Sequence, residues 1–307
     1  MGTKGRINIM QKLIVILGPT ASGKTSLSIK LAKKFNGEII SADSRQVYKG
    51  MDIGTGKVTK KEMQGVPHYL LNVVSPKVIF DVTQFKKLAD KAISNIYNKN
   101  RIPFLVGGTG FYIQTVTDNI VLPNVKPDWK LRKKLEKKSV VELHKMLGKL
   151  DPRRAKTIDK NNPRRLIRAL EIVIKSKGPV SPLSPQKPNF STLFLGVKRN
   201  DKELKGLIKK RLIERLKSGM VKEITNLHKS GVSWGRLEEF GLEYRYITQY
   251  LQGKLDYDEM VDRLQKEIEH YAKRQMTWFK RNNRIKWVKE YKEAERRCKT
   301  FLLTNKK

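Results

Sequence analysis

The 307-residue sequence predicts an α/β fold, a parallel sheet flanked by helices with an all-helical domain inserted into it. Three observations predict this. Short apolar runs alternate with helix-period patterns through the first third of the chain. A glycine-rich loop ending in Gly23-Lys24-Thr25 follows the first of those runs. Beyond residue 118 the strand signals stop and basic helical segments take over, until a strand signal returns at Thr192.

Each element has its own justification. Residues 13–17 are all apolar, as expected of a strand buried on both faces of a parallel sheet. A helix pattern with Leu27, Leu31 and Ala32 follows. Residues 38–43 read as a second strand whose C-terminal end turns polar. Phe85, Leu88, Ala89, Ala92, Ile93 and Ile96 recur at helical spacing, and residues 102–106 form a third strand that ends in Gly107-Gly108. The segment 121–168 carries 16 lysines and arginines against 5 acids, steeper than the 66 against 29 of the whole chain. It reads as helical, with Leu131, Leu135, Leu143, Leu147 and Leu150 as candidate core positions. Pro179, Pro182, Pro185 and Pro188 mark a loop, and residues 192–197 read as a strand returning to the sheet. The rest is helical, with Met260, Leu264, Ile268 and Tyr271 on one face of a long helix. The expected division is a core of residues 1–118 and 191–307, its C-terminal part helical, and a helical insertion of residues 119–190.

Composition bounds the function. The formal net charge of +37 favours a polyanionic partner, although lysine-rich composition alone yields a similar number. The single cysteine, Cys298, excludes an intrachain disulfide and a cysteine-based zinc site. His68, His144, His228 and His270 lack metal-ligand spacing. No apolar run approaches the ~20 residues of a membrane helix. Residues 1–12 are basic, but the apolar run after them leads into a phosphate loop and not a cleavage site, so the cytoplasm is the expected compartment.

The strongest motif is Gly18-Pro19-Thr20-Ala21-Ser22-Gly23-Lys24-Thr25, a match to G-x-x-x-x-G-K-[ST]. It sits between a buried strand and a helix, the context of a P-loop, and makes the fold P-loop NTPase-like. Backbone N–H groups and the helix N-terminus face phosphate oxygens there. Lys24 adds a charge, and the Thr25 hydroxyl suits Mg²⁺. The motif implies a di- or triphosphate ligand without naming it. Asp43, in Ser41-Ala42-Asp43-Ser44-Arg45-Gln46, lies at the C-terminal end of a strand, where open α/β sheets place their sites. It reads as a catalytic base, a metal partner or a turn aspartate. Gly107-Gly108-Thr109-Gly110 brings N–H donors and a hydroxyl to the same edge, or is an ordinary strand-to-helix turn. Asp81 ranks below Asp43 as a metal aspartate, because it precedes a helix as a natural N-cap.

Together these stretches resemble the tRNA dimethylallyltransferase family, also called tRNA isopentenyltransferases. The resemblance covers almost the whole chain. It rests on GPTASGKT at 18–25, SADSRQVYKGMDIGTGK at 41–57, GVPHYLLNVVSP at 65–76 and FDVTQF at 80–85. LVGGTGFY at 105–112, DPRRAKTIDKNNPRRLIRALEI at 151–172, GLEYR at 241–245 and AKRQMTWFKR at 272–281 complete it, in the family's order. Without the zinc finger that eukaryotic members often add, the sequence resembles the bacterial type. The resemblance implies transfer of a dimethylallyl group from dimethylallyl diphosphate to N6 of the adenosine at tRNA position 37, with Mg²⁺ as cofactor and diphosphate leaving. It implies Asp43 as base and Thr109 beside the reacting centre. Residues 18–25 and Arg274 then bind diphosphate. The tRNA contacts it implies are Asp43, Ser44, Arg45, Gln46, Lys130, Arg164, Arg165, Leu166, Ile167 and Arg168, with residues 239–244 in the place of another. There the sequence departs from the commoner Gly-Tyr pattern and has Gly241-Leu242-Glu243-Tyr244-Arg245. The target base is expected to flip out of its stack. A monomer with no membrane association is expected. The competing readings are a P-loop kinase for a small molecule or nucleotide and a non-catalytic RNA-binding NTPase or chaperone.

Overall fold

The computed structural model describes residues 10–181 and 185–304. The basic lead up to residue 9, and Pro182 of the proline-rich stretch, lie outside the described residues. The chain begins β1 (Gln11–Leu17), α1 (Lys24–Lys34), β2 (Gly37–Ala42), α2 (Lys60–Met63), β3 (His68–Tyr69), α3 (Val82–Asn98), β4 (Ile102–Gly107) and α4 (Gly110–Thr117). Four helices follow: α5 (Trp129–Glu136), α6 (Val140–Leu150), α7 (Pro152–Thr157) and α8 (Pro163–Ser176). Then come β5 (Phe190–Val197), α9 (Asp201–Lys217), α10 (Met220–Lys229), α11 (Trp234–Phe240), α12 (Leu242–Leu251), α13 (Tyr257–Phe279), β6 (Ile285–Val288) and α14 (Tyr291–Leu303). No helix among the described residues is long and apolar enough to cross a membrane.

The strands form one parallel sheet in the order β3-β2-β4-β1-β5-β6. Both faces are buried, which is why the strands read as unbroken apolar runs. Along β1, Leu13, Val15 and Leu17 enter one core and Ile14 and Ile16 the other. The first core is closed by α3, α4 and the helices from α9 to α13, the second by α1 and α14. Register then positions the site. Ala42, Gly107 and Leu17 lie level across β2, β4 and β1. The three loops that follow therefore leave one sheet edge at the same height.

Residues Ile120–Gln186 form a compact unit of their own, and the flanking chain forms the other. Within Ile120–Gln186 the core is built on Leu135, Leu143, Leu147, Leu166 and Leu170. Leu131 is partly buried beside it. Leu150, expected in that core, is exposed. It is the last residue of α6, and Asp151 turns the chain there by capping α7 through Arg154 N (3.0 Å). Glu171 is, with Asp151, a buried acid of this unit. Arg132 Nε donates to its Oε1 (2.8 Å), Arg132 Nη2 to its Oε2 (2.7 Å) and Asp128 N to its Oε1 (2.7 Å). Arg168 Nη1 also pairs with it, and Arg168 Nη2 reaches Val125 O (3.0 Å). Burial pushes this carboxyl up, but the donors outweigh burial and hold it below its usual range.

Candidate active site

Three loops converge at the C-terminal edge of β2, β4 and β1. The first is the P-loop. Gly23, at φ 90°, caps α1 in the left-handed region that disfavours a side chain, so the loop can turn and present its N–H groups. Lys24 Nζ folds back to Pro19 O (3.1 Å). The second loop carries Asp43, whose Oδ1 accepts from Arg45 N (2.8 Å) and Gln46 N (3.4 Å). That Asx turn fixes one carboxylate oxygen and leaves Oδ2 without a hydrogen bond among the described residues. The third loop is tied to the second, since Thr109 Oγ1 accepts from Ser44 N (3.2 Å). Gln275 of α13 links first and third: Thr20 N donates to its Oε1 (2.8 Å), and its Nε2 donates to Gly108 O (2.9 Å).

These loops open on a cavity of about 110 Å³. Lys24, Thr25 and Asp43 line it, and so do Arg211 and Arg215 of α9 and Glu243 of α12. Apolar walls come from Val58, Leu242 and Ile268. Cations crowd this space. Burial, then the nearby Arg211, pushes Lys24 down to about 8, against a smaller upward pull from Asp43. Burial and the adjacent Arg215 bring Arg211 down to about 10. Arg211 makes no hydrogen bond or ion pair among the described residues. Buried positive groups held close together without enough anions of their own mark a place built for a negatively charged ligand.

Asp43, Lys24, Thr20 and Thr25 are thus brought together as the sequence reading requires, and Thr109 is one hydrogen bond from the Asp43 loop. The side chains of Arg45 and Gln46 are committed internally, Arg45 Nε to Phe240 O (2.8 Å) and Gln46 Nε2 to Gly56 O (3.2 Å). Asp81 caps α3 in a reciprocal capping box with Gln84. Other expected residues lie elsewhere. Arg274 is exposed, pairs with Glu267 (2.7 Å) and does not line the cavity; its neighbour Gln275 does. Lys130, Arg164 and Arg165 are exposed. Leu166 and Ile167 are not surface contacts: they are 0% and 7% exposed on the apolar face of α8. Arg168 is held by Glu171, as described. Arg211, Arg215 and Gln275 escape the sequence reading, because charged and polar residues on long helices read as solvated faces. The one available signal is the alternation of basic and apolar residues in Lys209-Lys210-Arg211-Leu212-Ile213-Glu214-Arg215.

A family model described as IPP transferase matches residues 46–282. Among curated proteins, the tRNA dimethylallyltransferase of Acetivibrio thermocellus is 41% identical over 287 residues, covering 91% of this chain and 92% of that protein. The tRNA dimethylallyltransferase 1 of Syntrophus aciditrophicus is 42% identical over 287 residues, covering 91% and 94%. Among solved structures, the tRNA delta(2)-isopentenylpyrophosphate transferase of Staphylococcus epidermidis superposes with a TM-score of 0.70 at 36% identity, covering 95% of this chain and 98% of that one. A eukaryotic dimethylallyltransferase acting on tRNA gives 0.77 at 28% identity, covering 95% and 78%.

Proposed function

The chain belongs to the IPP transferase family, and from that premise we propose that its cavity joins the dimethylallyl group of dimethylallyl diphosphate to a tRNA adenosine. It is a prenyl-group transferase acting on tRNA, and the kinase reading falls away with the relatives' activity. The observation that carries the finer reading is the presence of a free carboxylate oxygen on Asp43 and a buried cation cluster in one cavity.

The chemistry follows from that pairing. The allylic C–O bond breaks, and both its electrons leave with the diphosphate. The growing negative charge falls on the P-loop N–H groups, Lys24 and Arg211. The adenine N6 supplies the pair for the new C–N bond and then loses a proton. Its lone pair is delocalised into the ring, so a base aids the step, and Asp43 Oδ2 takes the proton. Val58, Leu242 and Ile268 suit the apolar tail. Thr109 holds the Asp43 loop in place through Ser44 N.

No group of three His, Cys, Asp or Glu among the described residues can hold a metal. Mg²⁺ fits nonetheless, because it takes few protein oxygens and shares those of a bound diphosphate. The Thr25 hydroxyl is the group that would hold it, beside the P-loop lysine. When bound it neutralises diphosphate charge. The acceptor is the adenosine 3′ of the anticodon, and the exposed Lys130, Arg164 and Arg165 contact tRNA phosphates. A monomer working in the cytoplasm completes the reading. The test is incubation with labelled dimethylallyl diphosphate, Mg²⁺ and unmodified tRNA. Label in N6 of the adenosine at position 37 is the expected result, and its absence overturns the assignment.

A further inference from the structure

Glu243 falls in the stretch that the sequence resemblance assigns to tRNA contact, but its side chain is only 12% exposed and lines the P-loop cavity. Arg215 Nη1 donates to Glu243 Oε1 (3.0 Å) and to Gly54 O (3.3 Å). A carboxylate inside a cavity for a polyanion repels that ligand, so its presence there requires a compensating role. Its partner supplies one. A guanidinium has five N–H donors in a rigid fork, and Nη1 alone is engaged among the described residues. Gly56 makes room for it: at φ +57°, a Cβ there would lie 1.6 Å from Arg215 Nη2 and 2.0 Å from Arg211 Nη2. The positive φ favours a glycine there, and the two guanidinium ends pack directly on it.

We propose that Arg215 is a second guanidinium for the diphosphate of the prenyl donor, and that Glu243 is a positioning residue that aims it. The inference rests on the prenyl-transfer reading for the identity of the donor, but not for the anion it binds. Fixing one end of the fork by Glu243 and Gly54 O removes the rotamer freedom that a long side chain otherwise loses on binding. The remaining N–H groups then meet oxygens bidentately beside Arg211. In this arrangement Glu243 acts through Arg215.

Calorimetric titration with inorganic diphosphate and Mg²⁺, run beside steady-state kinetics, tests this. Arg215→Met should weaken inorganic diphosphate ~10–100-fold, the range for a lost charge-assisted contact. It should raise the KM for dimethylallyl diphosphate similarly and leave the KM for tRNA unchanged. Glu243→Gln, nearly isosteric, should move the same two quantities by a smaller factor of ~3–10. The double variant should match Arg215→Met alone, because Glu243 has nothing left to aim. Unchanged diphosphate affinity in Arg215→Met overturns the proposal. So does a Glu243→Gln effect confined to the KM for tRNA, or a double variant as weak as the product of the singles. Should Arg215→Met not fold, Arg215→Lys keeps the charge and loses the fork: an intermediate loss supports the proposal and wild-type affinity overturns it. A wild-type protein that binds diphosphate in this pattern but moves no prenyl group would refute the donor while leaving the diphosphate site standing.

Discussion

Glu171 and Glu243 are both buried glutamates with two arginines near them, yet they end in opposite electrostatic states. Glu171 receives Arg132, Arg168 and a backbone N–H, and its carboxyl is held below the usual range. Glu243 has a single hydrogen-bonded guanidinium, and burial pushes its carboxyl up, against the pull of Arg215. Around it Lys24 is pushed down and Arg211 has no partner among the described residues. A closed network, whose carboxylate takes donors on both oxygens, ties a loop to a helix and is architecture. An open network that leaves cations short of anions is a binding site waiting for charge from outside. The difference teaches that a residue's role here is read from what remains unpaired, not from its charge.

The sharpest way to test the open network is at Asp43. Asp43→Asn keeps the Oδ1 acceptor of the Asx turn and removes only the base. We expect kcat for prenyl transfer to fall ~10²–10⁴-fold, the usual worth of a positioned general base, with tRNA affinity kept. Asp43→Ala should lose as much rate and disturb the Arg45–Gln46 turn as well. A near-normal rate in Asp43→Asn, measured by single-turnover transfer, removes Asp43 as the base.

The closed network should fail differently. Glu171→Gln leaves two guanidiniums underpaired and should cost about 3 kcal/mol, the low end for a broken buried pair because both arginines reach solvent. Thermal unfolding reads the loss, and inorganic diphosphate affinity should not change. Its pH dependence has a definite sign. A carboxyl held low in the fold contributes stability that is complete above its unfolded value of ~4.3 and is lost as pH falls through the folded value. Wild type should therefore lose stability below about pH 4 that Glu171→Gln never had.

Much of this was legible in sequence. The strands β1, β2, β4 and β5 announce themselves as apolar runs, and the P-loop fixes the sheet edge that matters. The strands β3 and β6, two and four residues long, carry too little pattern to be seen. Motif spacing found Lys24 and Asp43 because each sits beside its own strand end. It missed Arg211, Arg215 and Gln275 because they reach the cavity from distant helices through tertiary packing, which local periodicity does not encode. The same limit explains why Leu166 and Ile167 read as surface contacts. The stretch 164–168 is basic as a string, and only its helical phase separates the exposed arginines from the buried pair.

Lys24 offers a smaller effect inside the open network. Free, it titrates near 8; with diphosphate bound its charge is retained to higher pH. Binding above pH 8 therefore takes up a proton, and affinity should fall about tenfold per pH unit there. Arg211, brought down only to about 10, should not contribute below that pH. Lys24→Arg should bind without this slope between pH 8 and 10. The protonation of diphosphate itself cancels in the ratio of the two proteins, so a ratio constant across that window would show that Lys24 is not the group.

The smallest effect separates exposed from committed arginines within α8. Arg164 is exposed with no ion pair among the described residues, Arg165 is exposed but 3.8 Å from Asp159, and Arg168 is engaged by Glu171. If the segment grips tRNA phosphates, each free charge removed should lower the slope of log affinity against log salt by up to ~0.9. Arg164→Gln should approach that figure. Arg165→Gln should fall short of it, since Asp159 already offsets part of its charge. Arg168→Gln should instead lower the melting temperature, because its guanidinium neutralises a buried carboxylate before any phosphate arrives. Equal slopes for wild type, Arg164→Gln and Arg165→Gln would mean that the basic face of α8 is solvated surface. The surplus of lysine and arginine in 121–168 would then reflect composition and not a binding site.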